Sequence, residues 1–323
     1  MKTKIKNNLF SIIFWAVLAI GMLFFARKTY YAFIIALFGI YAMVATGLDV
    51  LFGYTGQISL GHAGLFAIGA YVTALLTMKL GIPTAISLIL GAVITTIVGA
   101  LIAIPASKLV KHFLSLLMIA FGQIIYLIIN SWAKMTGGSL GLMNIPELNI
   151  FGFAFDSYIK CAILIWVLLA VILVIKVNIV KSRVGSAFIA LRENTVAAKG
   201  LGIDIKKYKI MAFAISAFMT GLAGGLYTFL RGFISPETFN GTQSTLFMTM
   251  LLFGGITTVE GPVIGAVILL LVKEVFQSLS IYQGLVYALF MLIVLFFLPN
   301  GVVGIFKSIG SSLVKLKKKN REV

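Results

Sequence analysis

Apolar runs long enough to cross a lipid bilayer recur along almost the whole chain. A membrane-spanning helix needs about 20 predominantly apolar residues, and only 11% of the 323 residues here are charged. That composition excludes an ordinary soluble domain. We therefore predict a single all-α polytopic membrane domain over residues 1–323, with about ten hydrophobic segments that include short or broken helices. The segments fall at roughly 9–26, 30–51, 58–79, 84–104, 113–130, 158–177, 210–230, 243–257, 262–279 and 281–298.

The positive charge of the chain is concentrated in a few connecting segments. The formal net charge is +17, which in a soluble protein would suggest a nucleic-acid partner. Here the basic residues cluster at the two termini and in one internal loop, a pattern typical of cytoplasmic segments beside anionic lipid headgroups. We therefore expect membrane lipid, and no nucleic acid, as a partner. An even number of crossings then places both termini in the cytoplasm, together with residues 105–112 and 176–209.

The stretch 51–71 combines features that a plain membrane-spanning helix does not need. It contains five glycines and several side chains that can form hydrogen bonds. Polar groups at membrane depth are tolerated where they are buried in protein or line a wet cavity. We predict a broken or tightly packed helix near a permeation pathway, although a packing helix without substrate contact would show the same pattern. The candidate pathway residues are Gly53, Tyr54, Gln57, Ser59, Gly61, His62 and Gly64.

Two pairs of glycines in the second half of the chain have the spacing of a helix-packing motif. Gly221 and Gly225 form one pair, and Gly261 and Gly265 form the other. Glycines four residues apart on a helix allow a second backbone to approach closely in lipid. We predict that both pairs lie at helix–helix contacts, a role that does not by itself indicate a function.

The loop between residues 178 and 209 is polar but carries a helical pattern. Apolar and small residues recur at three- and four-residue spacing and form one face of a short predicted helix. Gly200 and Gly202 are expected to end this helix, because glycine readily takes the left-handed conformation. Such a helix could lie on the lipid headgroups or dock in a groove on a cytoplasmic partner. The face consists of Phe188, Leu191, Thr195, Ala198 and Leu201.

No enzyme-like constellation of residues occurs in the sequence. The two histidines, His62 and His112, have neither a carboxylate nor a cysteine at metal-ligand spacing, and no phosphate-binding loop motif is present. We therefore predict no catalytic residue, no metal and no cofactor in this chain. None of the nine acidic residues falls at the centre of a predicted span, which argues against coupling to a proton or sodium gradient.

Four motifs occur in a fixed order between residues 45 and 306. The first begins at Gly53 with Gly-Tyr-Thr-Gly-Gln-Ile-Ser-Leu-Gly-His-Ala-Gly, and the second, residues 190–203, contains Arg-Glu-Asn-Thr-Val-Ala-Ala-Lys-Gly-Leu-Gly. The third and fourth cover residues 216–227 and 254–266. Together the four motifs resemble those of the M-type permease of branched-chain amino-acid ABC importers.

The resemblance implies a transport subunit, not an enzyme, in a bacterial-type plasma membrane. It also implies four partners: a paralogous permease, two cytoplasmic ATPase subunits that bind ATP-Mg, and an extracytoplasmic substrate-binding protein. In that family a cytoplasmic loop docks on the ATPase. Gly200 follows the other residues of the motif at a shorter sequence spacing than in the wider ABC-importer motif, so the docking geometry stays open. The residues that match this coupling loop are Arg192, Glu193, Ala197, Ala198, Gly200 and Gly202.

The expected function is import of leucine, isoleucine or valine by alternating access, with ATP hydrolysis in the partner subunits. Relatives that carry urea, short amides or other amino acids leave the substrate open at this stage. An ion-coupled secondary transporter and a passive channel for a small polar solute are the alternatives from other classes. Uptake that follows a gradient without ATP would indicate the first, and flux in either direction without a binding protein would indicate the second.

Overall fold

The computed structural model describes residues 29–109, 111–150, 152–276, 289, 292 and 301–304. A π-helical turn, Asp49–Tyr54, extends the first helix, and short 3-10 turns cover Gly138–Leu140 and Pro236–Phe239. Two short strands, β1 (Asn149–Ile150) and β2 (Phe153–Ala154), pair antiparallel. The helices are α1 (Thr29–Leu48), α2 (His62–Leu80), α3 (Thr84–Ala106), α4 (Lys111–Ser131), α5 (Ala133–Thr136), α6 (Tyr158–Lys181), α7 (Arg183–Glu193), α8 (Thr195–Gly200), α9 (Ile205–Arg231), α10 (Gly241–Gly254) and α11 (Gly261–Phe276).

The long helices coincide with apolar runs of the sequence, so the all-α membrane architecture is confirmed. The predicted count of about ten segments is not confirmed, because the run 9–26 and all of the run 281–298 except residues 289 and 292 lie outside the described residues. The predicted short segment 243–257 corresponds to α10, which has 14 residues. Six helices in the described part are long and apolar enough to cross a membrane: Thr29–Tyr54, His62–Leu80, Thr84–Ala106, Phe113–Ser131, Tyr158–Lys181 and Ile205–Arg231.

Helix α9 occupies the centre of the packing. It lies against α1, α2 and α3, and small residues permit these contacts. A side chain on Gly221 would collide with Thr95 of α3, and one on Gly224 would collide with the backbone of Phe66 in α2. Small residues let the helix backbones approach closely. The resulting van der Waals contact stabilises the helix pair in lipid, where no hydrophobic effect drives helices together. Gly225, the second member of the predicted packing pair, lies in the same contact region.

The other predicted packing pair lies where α10 and α11 meet. A side chain on Gly265 would collide with the Met250 carbonyl, and one on Gly261 would collide with the Gly255 carbonyl. The two helices are therefore joined by a tight turn over residues 255–260. This turn is one of the elements that contact the functional region described below.

The connecting segments divide into two sets at opposite ends of the helices. At one end the Thr84 hydroxyl donates to the Asn149 carbonyl at 2.9 Å, which ties α3 to the long connection 131–157. At the other end the Lys209 ammonium donates to the Ser107 carbonyl at 3.0 Å. The connections at the two ends of α3 thus lie on opposite sides, as the sequence predicts for helices that cross the membrane in alternating directions.

Two helices expose only apolar side chains along their central turns. Side chains of this kind suit the hydrocarbon of a bilayer, where an unpaired polar group is costly. We call these surfaces the lipid faces of α3 and α6. The exposed residues of α3 between 86 and 104 are Ile86, Ile89, Val93, Ile97, Leu101 and Ile104, and those of α6 between 161 and 175 are Ile163, Val167, Ala170, Val171, Val174 and Ile175.

Candidate functional site

The chain is interrupted between α1 and α2, within the stretch for which the sequence predicts a broken or tightly packed helix. The π-helical turn Asp49–Tyr54 follows α1, and residues 56–61 are not helical before α2 begins at His62. Gly56 has a φ of +69°, a left-handed conformation that glycine takes without a side-chain clash. A π-helical turn disrupts the regular helical hydrogen bonds and often occurs at functional sites. We call residues 55–61 the break.

The break lies near the middle of the membrane-spanning helices. Its last residue, Gly61, packs on Met118 near the centre of α4, and the adjoining His62 bonds to Ser216 near the centre of α9. Helix α4 has 21 residues and is therefore about 30 Å long at about 1.5 Å per residue. A helix of that length just spans the hydrocarbon, so its centre is near the midplane. Irregular backbone at this depth is tolerated where protein or a water-filled cavity surrounds it.

Buried polar side chains hold the break against α9. Both ring nitrogens of His62 are engaged at 2.8 Å, Nδ1 with the Ser59 hydroxyl and Nε2 with the Ser216 hydroxyl. The Gln57 amide also donates to the Thr55 hydroxyl at 2.8 Å. All five side chains are buried. Since an unpaired buried polar group costs about 1–3 kcal/mol, this network fixes the course of the break.

A fully buried ion pair links the π-helical turn to two other parts of the chain. The Lys176 ammonium of α6 lies 2.7 Å from the Asp49 carboxylate, and the two side chains are 1% and 0% exposed. The other Asp49 oxygen accepts a hydrogen bond from the Thr257 N–H at 2.7 Å. Lys176 also donates to the Thr258 carbonyl at 2.8 Å. The pair thus joins α6 and the 255–260 turn to the segment that leads into the break.

Arg192 connects the loop between residues 178 and 209 directly to the same region. Its guanidinium donates to the Gly53 carbonyl at 2.7 Å, although the two residues are 139 positions apart. Its side-chain carbons also lie over Gly56, where a Cβ atom would meet Arg192 Cγ at 3.4 Å. The predicted pathway segment and the predicted coupling loop are therefore in contact.

The loop between residues 178 and 209 contains two helices instead of the single one that the sequence predicts. Helix α7 ends at Glu193, and Asn194 has an extended backbone. Its side-chain oxygen accepts from the N–H groups of Val196 and Ala197 and so begins α8, as asparagine commonly does at a helix N-cap. The predicted apolar face is divided as a result. Phe188, Leu191 and Ala198 are buried, whereas Thr195 and Leu201 are exposed.

The six predicted coupling residues divide into an inward and an outward group. Arg192 and Ala198 face the rest of the chain. The outward group is exposed and consists of Glu193, Ala197, Gly200 and Gly202.

The outward surface of α8 is open and partly apolar. A Cβ atom on Gly200 or Gly202 would have no neighbour within 4 Å, so the chain itself does not require glycine for space at either position. Gly202 has a φ of +79° and ends the helix, whereas Gly200 is still part of it. Val196 and Leu201 are 79% and 80% exposed. Exposed apolar side chains that are grouped in this way suit contact with another protein or with the membrane surface.

A cavity of about 230 Å³ lies where α4 passes the first turns of α2 and α10. The two first turns are joined by the Ser244 hydroxyl, which accepts from the Ala63 N–H at 2.9 Å. We call it the α4–α10 cavity. Its walls combine apolar and polar side chains: Leu60, Ile119 and Phe239 are apolar, and Gln123, Asn240, Ser244 and Thr245 are polar.

None of the seven predicted pathway residues is part of the cavity lining. Their neighbours Leu60 and Ala63 are part of it, whereas Gln57 and Ser59 of the break are buried and do not line it. A pathway role for the seven stays a prediction. Among the described residues, no group of three or more His, Cys, Asp or Glu could hold a metal ion.

Comparison with known proteins adds the decisive observation. Residues 30–298 match the family described as branched-chain amino acid transport system, permease component. This chain belongs to that family. The match covers most of the chain, and together with the LivM relatives it confirms the resemblance of the sequence motifs to M-type permeases.

Several relatives match most of this chain. The high-affinity branched-chain amino acid transport system permease protein LivM of Salmonella typhimurium is 28% identical over 287 residues, which cover 82% of this chain and 68% of the relative. LivM of Escherichia coli gives the same values. The LivH permease of Salmonella typhimurium is 28% identical over 285 residues, with 82% and 91% covered. No solved structure matches the chain.

Two structural features of this family member were missed by the sequence reasoning. The ion pair of Asp49 and Lys176 is one, and its only signal is a pair of opposite charges at the ends of two apolar runs. The α4–α10 cavity is the other. Gln123 is an isolated amide in the apolar run 113–130, which is a usable signal, but the approach of residues 240–245 to it depends on the tertiary fold.

Proposed function

We propose that this chain is the permease subunit of an ATP-driven importer for leucine, isoleucine or valine. The observation that carries the proposal is the family match over residues 30–298. The LivM and LivH relatives are named for branched-chain amino acid transport. The break and the α4–α10 cavity support a transport role, because substrate sites of membrane transporters often lie at interrupted helices near the bilayer midplane.

The proposed partners are a paralogous permease, two cytoplasmic ATPase subunits and an extracytoplasmic substrate-binding protein. Both LivM and LivH proteins are similar to this chain, which supports an assembly of two related but different permeases. ATP and Mg²⁺ would be bound by the ATPase subunits, since the sequence has no phosphate-binding loop motif. The assembly would lie in the inner membrane, with both termini and residues 176–209 in the cytoplasm.

In this proposal α7 and α8 couple the ATPase to the transport pathway. The outward residues Glu193, Ala197 and Gly200 form the docking surface. The inward side is held firmly, because Phe188 is fully buried and its ring meets that of Tyr208 edge-on, with 6.3 Å between centroids. Movement of the ATPase subunits would thus displace α7 and, through Arg192 and the Gly53 carbonyl, the break. Alternating access would follow as a rigid-body rearrangement of the attached spans.

The test is to purify the tagged chain from native membranes in mild detergent and to reconstitute the co-purified assembly with its binding protein. We expect a second permease and an ATPase to co-purify, and leucine uptake into liposomes to require ATP. Glu193→Lys should uncouple uptake from ATP hydrolysis, whereas the control Lys206→Glu, on the same cytoplasmic side, should not. A single species without ATPase activity, or uptake that follows an ion gradient without ATP, would contradict the proposal.

A further inference from the structure

The α4–α10 cavity lies on a face that differs from the lipid faces of α3 and α6. The side chains of Gln123, Asn240 and Thr245 line the cavity, and all three residues are exposed. They lie at the depth of the break, because Ser244 is bonded to Ala63 at the start of α2. The Asn240 side-chain oxygen accepts from the Gln243 N–H and the Thr245 hydroxyl donates to the Gly241 carbonyl, but the Gln123 amide and the Asn240 NH2 group would lack hydrogen-bond partners in hydrocarbon at this depth. This face is therefore not a surface for lipid.

The cavity is formed where α2 and α10 begin, since both helices begin at membrane depth and not at a membrane surface. Helix α2 begins after the break, and α10 begins after the 3-10 turn Pro236–Phe239. Helix α10 has 14 residues, so it extends only about 21 Å at about 1.5 Å per residue and is too short to span the hydrocarbon. Non-helical backbone at membrane depth occurs where it is buried or lines a cavity, and here it does both.

The lining of the cavity defines the chemistry of a ligand. One water molecule needs about 10–15 Å³, so a cavity of about 230 Å³ admits a considerably larger molecule. The Gln123 amide can both donate and accept hydrogen bonds, the Asn240 NH2 group can donate, and the Thr245 hydroxyl, which donates to the Gly241 carbonyl, can accept. This set suits the ammonium and carboxylate groups of an amino acid. Leu60, Ile119 and Phe239 offer apolar contact to a hydrocarbon side chain. No charged side chain belongs to the described lining, so a solute with a net charge would be disfavoured.

We propose that the α4–α10 cavity is the substrate-binding site of this subunit, and that it takes a zwitterionic amino acid with an apolar side chain. The inference rests on the proposed function and adds the location of the substrate-binding site. Gln123, Asn240 and Thr245 bind the polar groups of the substrate, and the apolar walls hold its side chain. The break sets where α2 begins, and the hydrogen bond from the Ala63 N–H to the Ser244 hydroxyl joins this start of α2 to the cavity wall.

Gly241 allows the cavity to be filled without disturbing the chain. It belongs to the cavity lining, and a Cβ atom on it would have no neighbour within 4 Å. In the reconstituted complex with its ATPases and binding protein, Gly241→Phe should reduce leucine uptake at least tenfold. The matched control is Val93→Phe, which adds the same ring on the lipid face of α3 and should leave uptake unchanged. Uptake by Gly241→Phe at the wild-type rate would overturn the proposal.

A second variant covers the case in which the phenylalanine prevents assembly. The sequence has one cysteine, Cys161, so Gly241→Cys in a Cys161→Ala background gives this subunit a single thiol in the cavity. We expect a membrane-permeant maleimide to label it, leucine to slow the labelling at least threefold, and labelling to reduce uptake further. Labelling that leucine does not slow, together with unchanged uptake after labelling, would also overturn the proposal.

The two proposals fail in different ways in this experiment. If the wild-type complex shows no ATP-dependent leucine uptake, the proposed function is wrong. If the wild type transports leucine and the filled or labelled cavity has no effect, the function stands and the location of the site is wrong. Lysine serves as a charged competitor and should protect the thiol much less than leucine does. Equal protection would contradict the zwitterionic, apolar specificity.

Discussion

The break and the loop between residues 178 and 209 both contain glycines in sequence motifs of the family, but the structure uses those glycines differently. In the break, a side chain on Gly61 would collide with the Met118 carbonyl, and in the adjoining π-helical turn a side chain on Gly53 would collide with the Asp49 carboxylate. In the loop, Gly200 and Gly202 have no neighbour within 4 Å of a Cβ position. Glycine in the break is therefore explained by packing within this chain, whereas the open space at Gly200 is available to another protein.

The same contrast applies to the polar side chains of the two regions. In the break Thr55 and Ser59 are buried and hydrogen-bonded, Thr55 with Gln57 and Ser59 with the adjoining His62. In the loop Glu193 is exposed. Changes in the break should consequently reduce the stability of the chain, while changes in the loop should spare stability and affect coupling. The following predictions test this division, beginning with the largest expected loss of stability.

Asp49→Asn should have the largest effect. It leaves the Lys176 ammonium buried without its counter-charge, which costs about 3–5 kcal/mol when one partner of a buried pair is removed. The measurement is thermal denaturation of the purified complex, with the yield of folded protein. The control is Asp156→Asn: Asp156 also pairs with a lysine at 2.7 Å, but those side chains are 53% and 55% exposed, so little change is expected there.

The double variant Asp49→Leu with Lys176→Met sharpens this prediction. Replacing both members of a buried pair by apolar residues is often tolerated, so the double variant should be more stable than Asp49→Asn. If instead both single and double variants denature at the wild-type temperature, the pair does not stabilise the break.

Gly61→Val should be the next most damaging change. The added side chain meets the backbone of α4 at Met118, which cannot move aside as a flexible side chain can, and overpacking of this kind costs about 1–3 kcal/mol. We expect a lower denaturation temperature together with loss of uptake. Because lower stability alone would reduce uptake, loss of transport in Gly61→Val does not by itself show that the break moves during transport. A Gly61→Val complex with wild-type stability would show that the break adapts and would weaken the contrast with the loop.

Arg192→Met probes the connection between the two regions. It removes the hydrogen bond to the Gly53 carbonyl but keeps a long apolar side chain over Gly56, so the expected stability loss is about 1–2 kcal/mol. If the contact transmits movement, leucine uptake per ATP hydrolysed should fall at least fivefold. The measurement is the ratio of the two rates in liposomes, and Arg192→Lys, which keeps a donor, should recover part of it. An unchanged ratio in Arg192→Met would mean that coupling passes elsewhere.

The sequence predicts the architecture well and the site only in part, for physical reasons. Hydrophobic length determines where a helix can span, so the limits of the described spans agree with the apolar runs. Glycine spacing likewise indicated Gly221 and Gly225, which lie in the tight contact of α9 with α2 and α3. A local sequence signal was therefore sufficient to predict both the spans and this packing pair.

The remaining features depend on contacts between distant residues. Asp49 and Lys176 are 127 positions apart in the numbering, and only the packing of α1 against α6 brings them together. The division of the predicted loop helix at Asn194 was visible in principle, because asparagine is a strong N-cap. The periodicity of the apolar residues favoured a continuous helix and concealed that local signal.

Gly200→Trp should have the smallest effect on stability and a large effect on transport. A side chain at this position extends into open space, so the chain should fold within about 0.5 kcal/mol of wild type, as for most surface substitutions. If the outward surface of α8 contacts the ATPase, the indole should block that contact, and leucine uptake should fall at least tenfold. The matched control is Gly185→Trp in α7, whose side chain would collide with the Val180 backbone; it should reduce stability as well as uptake. A Gly200→Trp complex that co-purifies with its ATPase and transports normally would show that this surface is only open to solvent, and the comparison between packing glycines and docking glycines would then fail.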